Sequence, residues 1–113
     1  MVLKIYHNPR CTKSRQTLAL LEGRGLKPEI VNYLTTPPSI AELAKIVKML
    51  GVPARDIVRK KDAADFGIEP ASLKEKILLA AMVEHPIIIE RPIVINKGKA
   101  AIGRPPESVI EIL

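Results

Sequence analysis

The sequence predicts a single α/β domain, residues 1–113, built on a mixed four-stranded sheet flanked by helices, with a helical insertion between its two halves. Three observations predict it. An apolar strand-like run, a helix-like run and a second strand-like run follow one another across residues 2–33. The recurrence of Ile40, Leu43, Ile46, Val47 and Leu50 has the 3.6-residue period of an amphipathic helix. Near the end, Asn96-Lys97-Gly98 stands between two further strand-like runs and carries hairpin-turn chemistry.

Val2-Leu3-Lys4-Ile5-Tyr6 is apolar and rich in strand formers, so it reads as a buried strand. His7-Asn8-Pro9 ends it, because proline lacks an N–H and biases the residue before it away from helix. A helix is expected from Thr12 to about Arg24, with Leu18 and Leu21 on its apolar side and Gly23 and Gly25 at its stop. Residues 28–33 form the second strand. A helix of that length between two strands suits a parallel, right-handed β-α-β unit.

Thr35-Thr36-Pro37-Pro38 stops regular structure, and the insertion spans about residues 39–84. Ser39 with Glu42 has the spacing of a capping box, opening a helix that ends at Gly51. Pro53 suits the first turn of a short helix through Ile57 and Val58, which leaves Arg59-Lys60-Lys61 at its exit. Residues 62–70 carry turn signals and are expected to be loop. Ser72 with Glu75 forms a second capping-box pattern, opening a helix through Leu78 and Met82 that His85-Pro86 ends. Ile87-Ile88-Ile89 and residues 92–95 are strand-like, and residues 99–102 return after the hairpin turn. Gly103-Arg104-Pro105-Pro106 lead into a terminal helix expected to turn Val109, Ile110 and Leu113 toward the core. The order β-α-β, helices, β-β-α is a thioredoxin-like layout with a helical insertion.

The 113 residues suffice for one core without covalent staples. Eighteen basic against twelve acidic residues give a net charge of +6, which suits nucleic acid, an acidic surface or a small anionic substrate. An aromatic content of 3% leaves little for base stacking, and no recognition-helix or zinc-ligand spacing occurs. The expectation is therefore no nucleic-acid partner and no metal. The N-terminal residues lack a signal-peptide pattern and no apolar run has membrane-spanning length, so no membrane partner is expected. A lone cysteine cannot form an internal disulfide, which points to a cytoplasmic location.

That cysteine, Cys11, lies between the first strand and the first helix, in His7-Asn8-Pro9-Arg10-Cys11-Thr12-Lys13-Ser14-Arg15. At the first turn of a helix, free backbone N–H groups and the helix dipole favour a thiolate, and nearby Arg, Lys and protonated His add Coulombic support. A reactive nucleophile is expected there. Asn8, Ser14 and Arg15 are candidates for ordering the loop, with the Ser14 hydroxyl able to donate to the thiolate.

Tyr6-His7-Asn8-Pro9-Arg10-Cys11-Thr12-Lys13-Ser14-Arg15 resembles the active-site segment of the glutaredoxin-dependent arsenate reductases. Further similarity occurs at Tyr33-Leu34-Thr35-Thr36-Pro37-Pro38, Val58-Arg59-Lys60, His85-Pro86-Ile87, Arg91-Pro92-Ile93-Val94 and Gly103-Arg104-Pro105, and fades over residues 61–76. The resemblance implies a thioredoxin-like fold with a helical insertion, in which the peptide bond before Pro92 is cis and lies beside the reactive sulfur. It implies that Cys11 attacks arsenate, that glutathione serves as co-substrate, and that glutaredoxin supplies reducing equivalents as arsenite leaves. No bound cofactor is implied. Arg59, Arg91 and Arg104 match the positions that bind the oxyanion, and His7 matches one that helps hold the thiolate.

Charge supports such a set. Thiolate and oxyanion repel, and at ~4 Å and an effective dielectric of ~20 each charge pair is worth about 4 kcal/mol, so several cations must converge on one sulfur. Guanidinium stays charged and offers parallel donors to an oxyanion, which lysine does not. Ser14 stands where dithiol relatives carry a second cysteine, so any disulfide product must involve another molecule. Two further readings stand beside this one. The first is a glutathione-dependent thiol reductase of the same family with another substrate. The second is a regulator that binds RNA polymerase, although the Cys-x-x-Cys switch of such proteins is missing here.

Overall fold

The computed structural model describes residues 2–113, so Met1, the first residue of the expected domain, lies outside the described residues. The described chain divides into two compact units, one formed by residues 2–36 and 91–113 and the other by residues 37–90.

The first unit contains the mixed four-stranded sheet. Strands β1 (Lys4–His7), β2 (Glu29–Asn32), β3 (Ile93–Asn96) and β4 (Lys99–Ile102) lie in the order β2-β1-β3-β4. β1 runs parallel to β2 and antiparallel to β3, which pairs antiparallel with β4. Helix α1 (Thr12–Gly23) connects β1 to β2. In register across the sheet, Ile5 faces Val94 and Val94 faces Ala101, so all three point to one side. On that side Ile5 and Val94 pack with Leu21 of α1 and with Val109, all four fully buried. Ile30, the β2 partner of Ile5, sits on the sheet edge and is 50% exposed. The hairpin closes on Lys97 and Gly98, whose φ values of 53° and 76° are both left-handed. That is the backbone a two-residue turn requires between twisted strands, and glycine adopts it without steric cost.

The chain ends in a 3₁₀ helix, Pro106–Ile112, and not in an α-helix. With three residues per turn, Pro106, Val109 and Ile112 share a face, and Ile110 turns outward and is exposed. The expected inward placement of Ile110 requires an α-helical period that this segment does not have. The Asn96 side chain donates to the Ile112 carbonyl at 2.9 Å, tying the hairpin to this last turn.

The second unit is helical. It contains α2 (Ile40–Leu50), α3 (Lys60–Ala64) and α4 (Glu75–Glu84), with 3₁₀ turns at Ala54–Ile57, Pro70–Ser72 and Pro86–Ile88. α2 packs on α4, burying Leu43, Ile46 and Val47 on one helix and Leu78, Leu79 and Met82 on the other. Ser39 caps α2 as the sequence predicts: its hydroxyl accepts from the Glu42 N–H at 3.1 Å and the Glu42 carboxylate accepts from the Ser39 N–H.

Three local expectations in this unit are corrected. α3 takes in residues 62–64, expected to be loop, and Arg59, at the exit of the expected short helix as predicted, is also the N-cap of α3. Ser72 does not cap α4, because its hydroxyl donates to the Glu69 carbonyl within a 3₁₀ turn; Lys74 is the N-cap residue, and the Glu75 carboxylate accepts from the Ala54 N–H. Ile87-Ile88-Ile89 is not a sheet strand. Pro86 opens a 3₁₀ turn there, and Ile89 makes an isolated antiparallel bridge to Val58.

Replacing Ser39 with alanine removes both arms of the α2 capping box. Urea denaturation should show a loss of about 1 kcal/mol with an unchanged m-value.

Candidate active site

The sulfur is placed by the junction of β1 and α1. Pro9 prevents the strand from running directly into a helix, and the Cys11 N–H donates to the Asn8 carbonyl at 3.0 Å across a tight turn. Cys11 thereby becomes the N-cap of α1, with extended backbone angles, and its carbonyl accepts from the Arg15 N–H at 3.0 Å. No side-chain hydrogen bond of ordinary capping geometry closes this turn, yet the N–H groups of Ser14 and Lys13 face the sulfur and favour its anion.

The loop is held from inside by polar contacts. Asn8, buried, accepts from the Arg10 N–H through its side-chain oxygen at 3.0 Å. The Arg15 guanidinium donates to the Pro9 carbonyl at 2.9 Å and to the Thr12 hydroxyl at 3.3 Å. Ser14 is fully buried; its hydroxyl oxygen accepts from the Asn8 N–H at 3.0 Å and lies 2.6 Å from His7 Nδ1. Burial, reinforced by the charge of Arg15 and opposed by Glu22, lowers the His7 pKa, so the imidazole is neutral at pH 7. Which of the two donates follows the tautomer of the neutral ring.

Two expectations change as a result. A protonated imidazole does not support the thiolate, because His7 is buried at the end of β1. The Ser14 hydroxyl is engaged with His7, and it is the Ser14 backbone N–H that faces the sulfur.

The cations come from far along the chain. Arg104 Nη2 donates to Cys11 Sγ at 3.3 Å while its Nε donates to the Arg91 carbonyl at 2.8 Å. The Arg91 side chain, 8% exposed, also hydrogen-bonds the sulfur. Partial burial alone would raise the Cys11 pKa. The Ser14 N–H, the Arg104 charge, the Arg91 hydrogen bond and the Lys13 N–H outweigh it, and the thiol pKa lies below its ordinary value. The Arg91–Pro92 bond is cis, as expected, and so is Arg104–Pro105.

Arg59 belongs to the helical unit. Its Nε donates to Asp62 at 2.7 Å and its Nη1 to Glu90 at 3.2 Å. The hydrogen bond to Asp62 and the nearby Glu90 outweigh burial and hold the guanidinium firmly charged. Sequence reasoning missed both carboxylates. Asp62 had a signal in its spacing, three residues after Arg59, which places the two on one helix face. Glu90 had none. His85, the C-cap of α4, stacks on Phe66 with ring centroids 4.2 Å apart.

A sulfur at a helix start, beside two arginines from the β3 and β4 ends, is equipped to attack an anionic centre. The model of the ArsC family matches residues 6–112. The chain belongs to the ArsC family. An arsenate reductase of Haemophilus influenzae is 49% identical, covering 100% of both chains. An uncharacterised Escherichia coli protein, YfgD, is 50% identical over 98% of this chain and 96% of its own length. A solved structure, an arsenate reductase from Vibrio cholerae, superposes with a TM-score of 0.90 at 47% identity, covering 100% of this chain and 98% of that one. The sheet and its flanking helices are those of this thioredoxin-like family. Among the described residues, no group of three or more His, Cys, Asp or Glu side chains is placed to hold a metal ion, and no helix is long and apolar enough to cross a membrane.

Alkylation of Cys11 by iodoacetamide against pH should give an apparent pKa below that of a free thiol, and Arg104→Ala should raise it. Equal values in the two proteins would remove Arg104 from the account. For His7, the unfolded state binds the proton more readily than the folded one, so its contribution to stability is complete above pH 6.5 and is lost as pH falls through that value toward the lower folded pKa. Urea midpoints measured from pH 7.5 to 5 should therefore fall less steeply in His7→Gln than in the natural protein.

Proposed function

We propose that this protein is an arsenate reductase whose nucleophile is Cys11. The thiolate forms a bond to arsenic and one arsenate oxygen leaves as water. Glutathione displaces a second oxygen as water to form another arsenic–sulfur bond, and a glutaredoxin thiolate then attacks the glutathione sulfur, forming a mixed disulfide and leaving the bonding pair on arsenic. Hydrolysis releases arsenite and frees the cysteine. The chain has no second cysteine to complete an internal disulfide, so the resolving thiol is external.

The observation that carries this reading is the contact of Arg104 Nη2 with Cys11 Sγ at 3.3 Å, in an ArsC-family chain 49% identical to an arsenate reductase. In this reading Arg91 and Arg104 each serve twice. Before the substrate arrives they lower the thiol pKa. During attack their guanidinium groups take up oxyanion charge, which offsets the repulsion between thiolate and arsenate. Arg59 is proposed as a further oxyanion-binding cation, kept charged by Asp62 and Glu90. Asn8, Ser14, Arg15 and neutral His7 act on the loop, fixing where the sulfur sits. The proposed setting is the reducing cytoplasm, where glutathione and glutaredoxin are available.

In a coupled NADPH assay, the purified protein should reduce arsenate only when glutathione and glutaredoxin are both present, and Cys11→Ser should be inactive. Arg91→Lys and Arg104→Lys should each lower kcat/KM by at least about tenfold while the fold is retained, since lysine keeps the charge and loses the paired donors. Turnover by Cys11→Ser would overturn the mechanism. Efficient reduction of glutathione mixed disulfides with no arsenate turnover would assign the protein to another substrate.

A further inference from the structure

Gly103 is buried where three segments of the sheet unit meet. Its N–H donates to the Pro92 carbonyl at 3.0 Å, and its carbonyl accepts from the fully buried Thr17 hydroxyl at 3.4 Å. The single hydrogen of that hydroxyl is shared with the Lys13 carbonyl within α1 at 2.8 Å, the shorter arm of a bifurcated bond that bridges helix and strand end. A Cβ on Gly103 would meet Thr17 Oγ1, closer than any non-bonded contact allows, and Pro92 Cγ at 2.8 Å. Gly23, Gly25, Gly51 and Gly67 differ entirely, since a Cβ at those positions would meet nothing within 4 Å. Only a residue without a side chain lets the end of β4 approach α1 this closely.

The next residue is Arg104, whose Nη2 reaches Cys11 at the start of α1 and whose Nε grips the carbonyl just before Pro92. The glycine thus touches both neighbours of the arginine's two contacts: α1, which carries the sulfur at its N-cap, and Pro92, the residue after Arg91. We propose that Gly103 and Thr17 form a positioning contact that sets the reach of Arg104 to Cys11, so that the spacing of α1 and the β4 end determines thiolate stabilisation. Neither residue touches the sulfur. The inference rests on the reading of Arg104 as the thiolate's cation, and the experiment separates the two.

The readout is the apparent pKa of Cys11 by iodoacetamide alkylation, with circular dichroism to verify the fold and arsenate turnover as a second measurement. Arg104→Ala must raise the thiol pKa; if it does not, the reading of Arg104 fails whatever Gly103 does. Given that shift, Gly103→Ala should raise the pKa by up to about one unit and lower kcat/KM by up to about tenfold. Adding Gly103→Ala to Arg104→Ala should change the thiol pKa no further, because the glycine acts through the arginine. Thr17→Ala removes the closer obstruction and leaves Pro92, so Thr17→Ala/Gly103→Ala should recover most of the loss and stay slightly above Thr17→Ala alone. Should Gly103→Ala fail to fold, Thr17→Val, which keeps the shape and removes the hydrogen bond to Gly103, is measured with and without Arg104→Ala. It should raise the thiol pKa alone and not in the double variant, and no rise would overturn the proposal. A thiol pKa in Gly103→Ala equal to the natural protein's, or a shift that adds in full to that of Arg104→Ala, would overturn the proposal.

Discussion

The thiolate of Cys11 is the constraint around which the sheet unit is arranged. A partly buried sulfur resists ionisation, and in this protein that resistance is overcome by groups from both ends of the unit. The N-terminal part provides the first amides of α1. The C-terminal part provides Arg91, just before β3, and Arg104, just after β4. The β1–β3–β4 pairing brings these ends together, and the packing of Ile5, Val94, Leu21 and Val109 keeps α1 against the same sheet. The hydrophobic core and the reactive site are consequently one problem.

Loop and arginines divide the work. Polar contacts among His7, Asn8, Ser14 and Arg15 fix the geometry of the turn, and the sulfur is left to the backbone amides and the guanidinium groups. The hydroxyl that stands in the place of a second cysteine is built into that scaffold. In the proposed mechanism an external thiol completes the chemistry, and Ser14 serves the structure of the loop instead.

The sheet and helix α2 are legible in the sequence because their signals are local. Strand formers bounded by Pro9, the Lys97-Gly98 turn and the Ser39–Glu42 spacing each dictate structure from a few adjacent residues. Legibility fails where distant contacts decide. Ser72 and Glu75 repeat the spacing of Ser39 and Glu42, yet Pro70 draws Ser72 into a 3₁₀ turn and Ala54 takes the carboxylate. Ile110 faces outward because the period of the terminal helix depends on its packing and not on its composition. For the site, Cys11 is marked by its neighbours, whereas Arg91 and Arg104 come forward only through resemblance to a family. The bond between Thr17 and Gly103 joins residues 86 apart, and nothing in either neighbourhood signals it.

The neutral state of His7 bears on how the protein meets its surroundings. Around the sulfur, every side-chain charge drawn on to stabilise the thiolate belongs to arginine, a group that holds its proton at any pH a cell experiences. The imidazole, which could have made reactivity track acidity, is buried and bonded to a hydroxyl. A modest drift in pH thus acts on the nucleophile through the sulfur's own equilibrium. That equilibrium is biased toward the thiolate by groups whose own charge does not change over the same range.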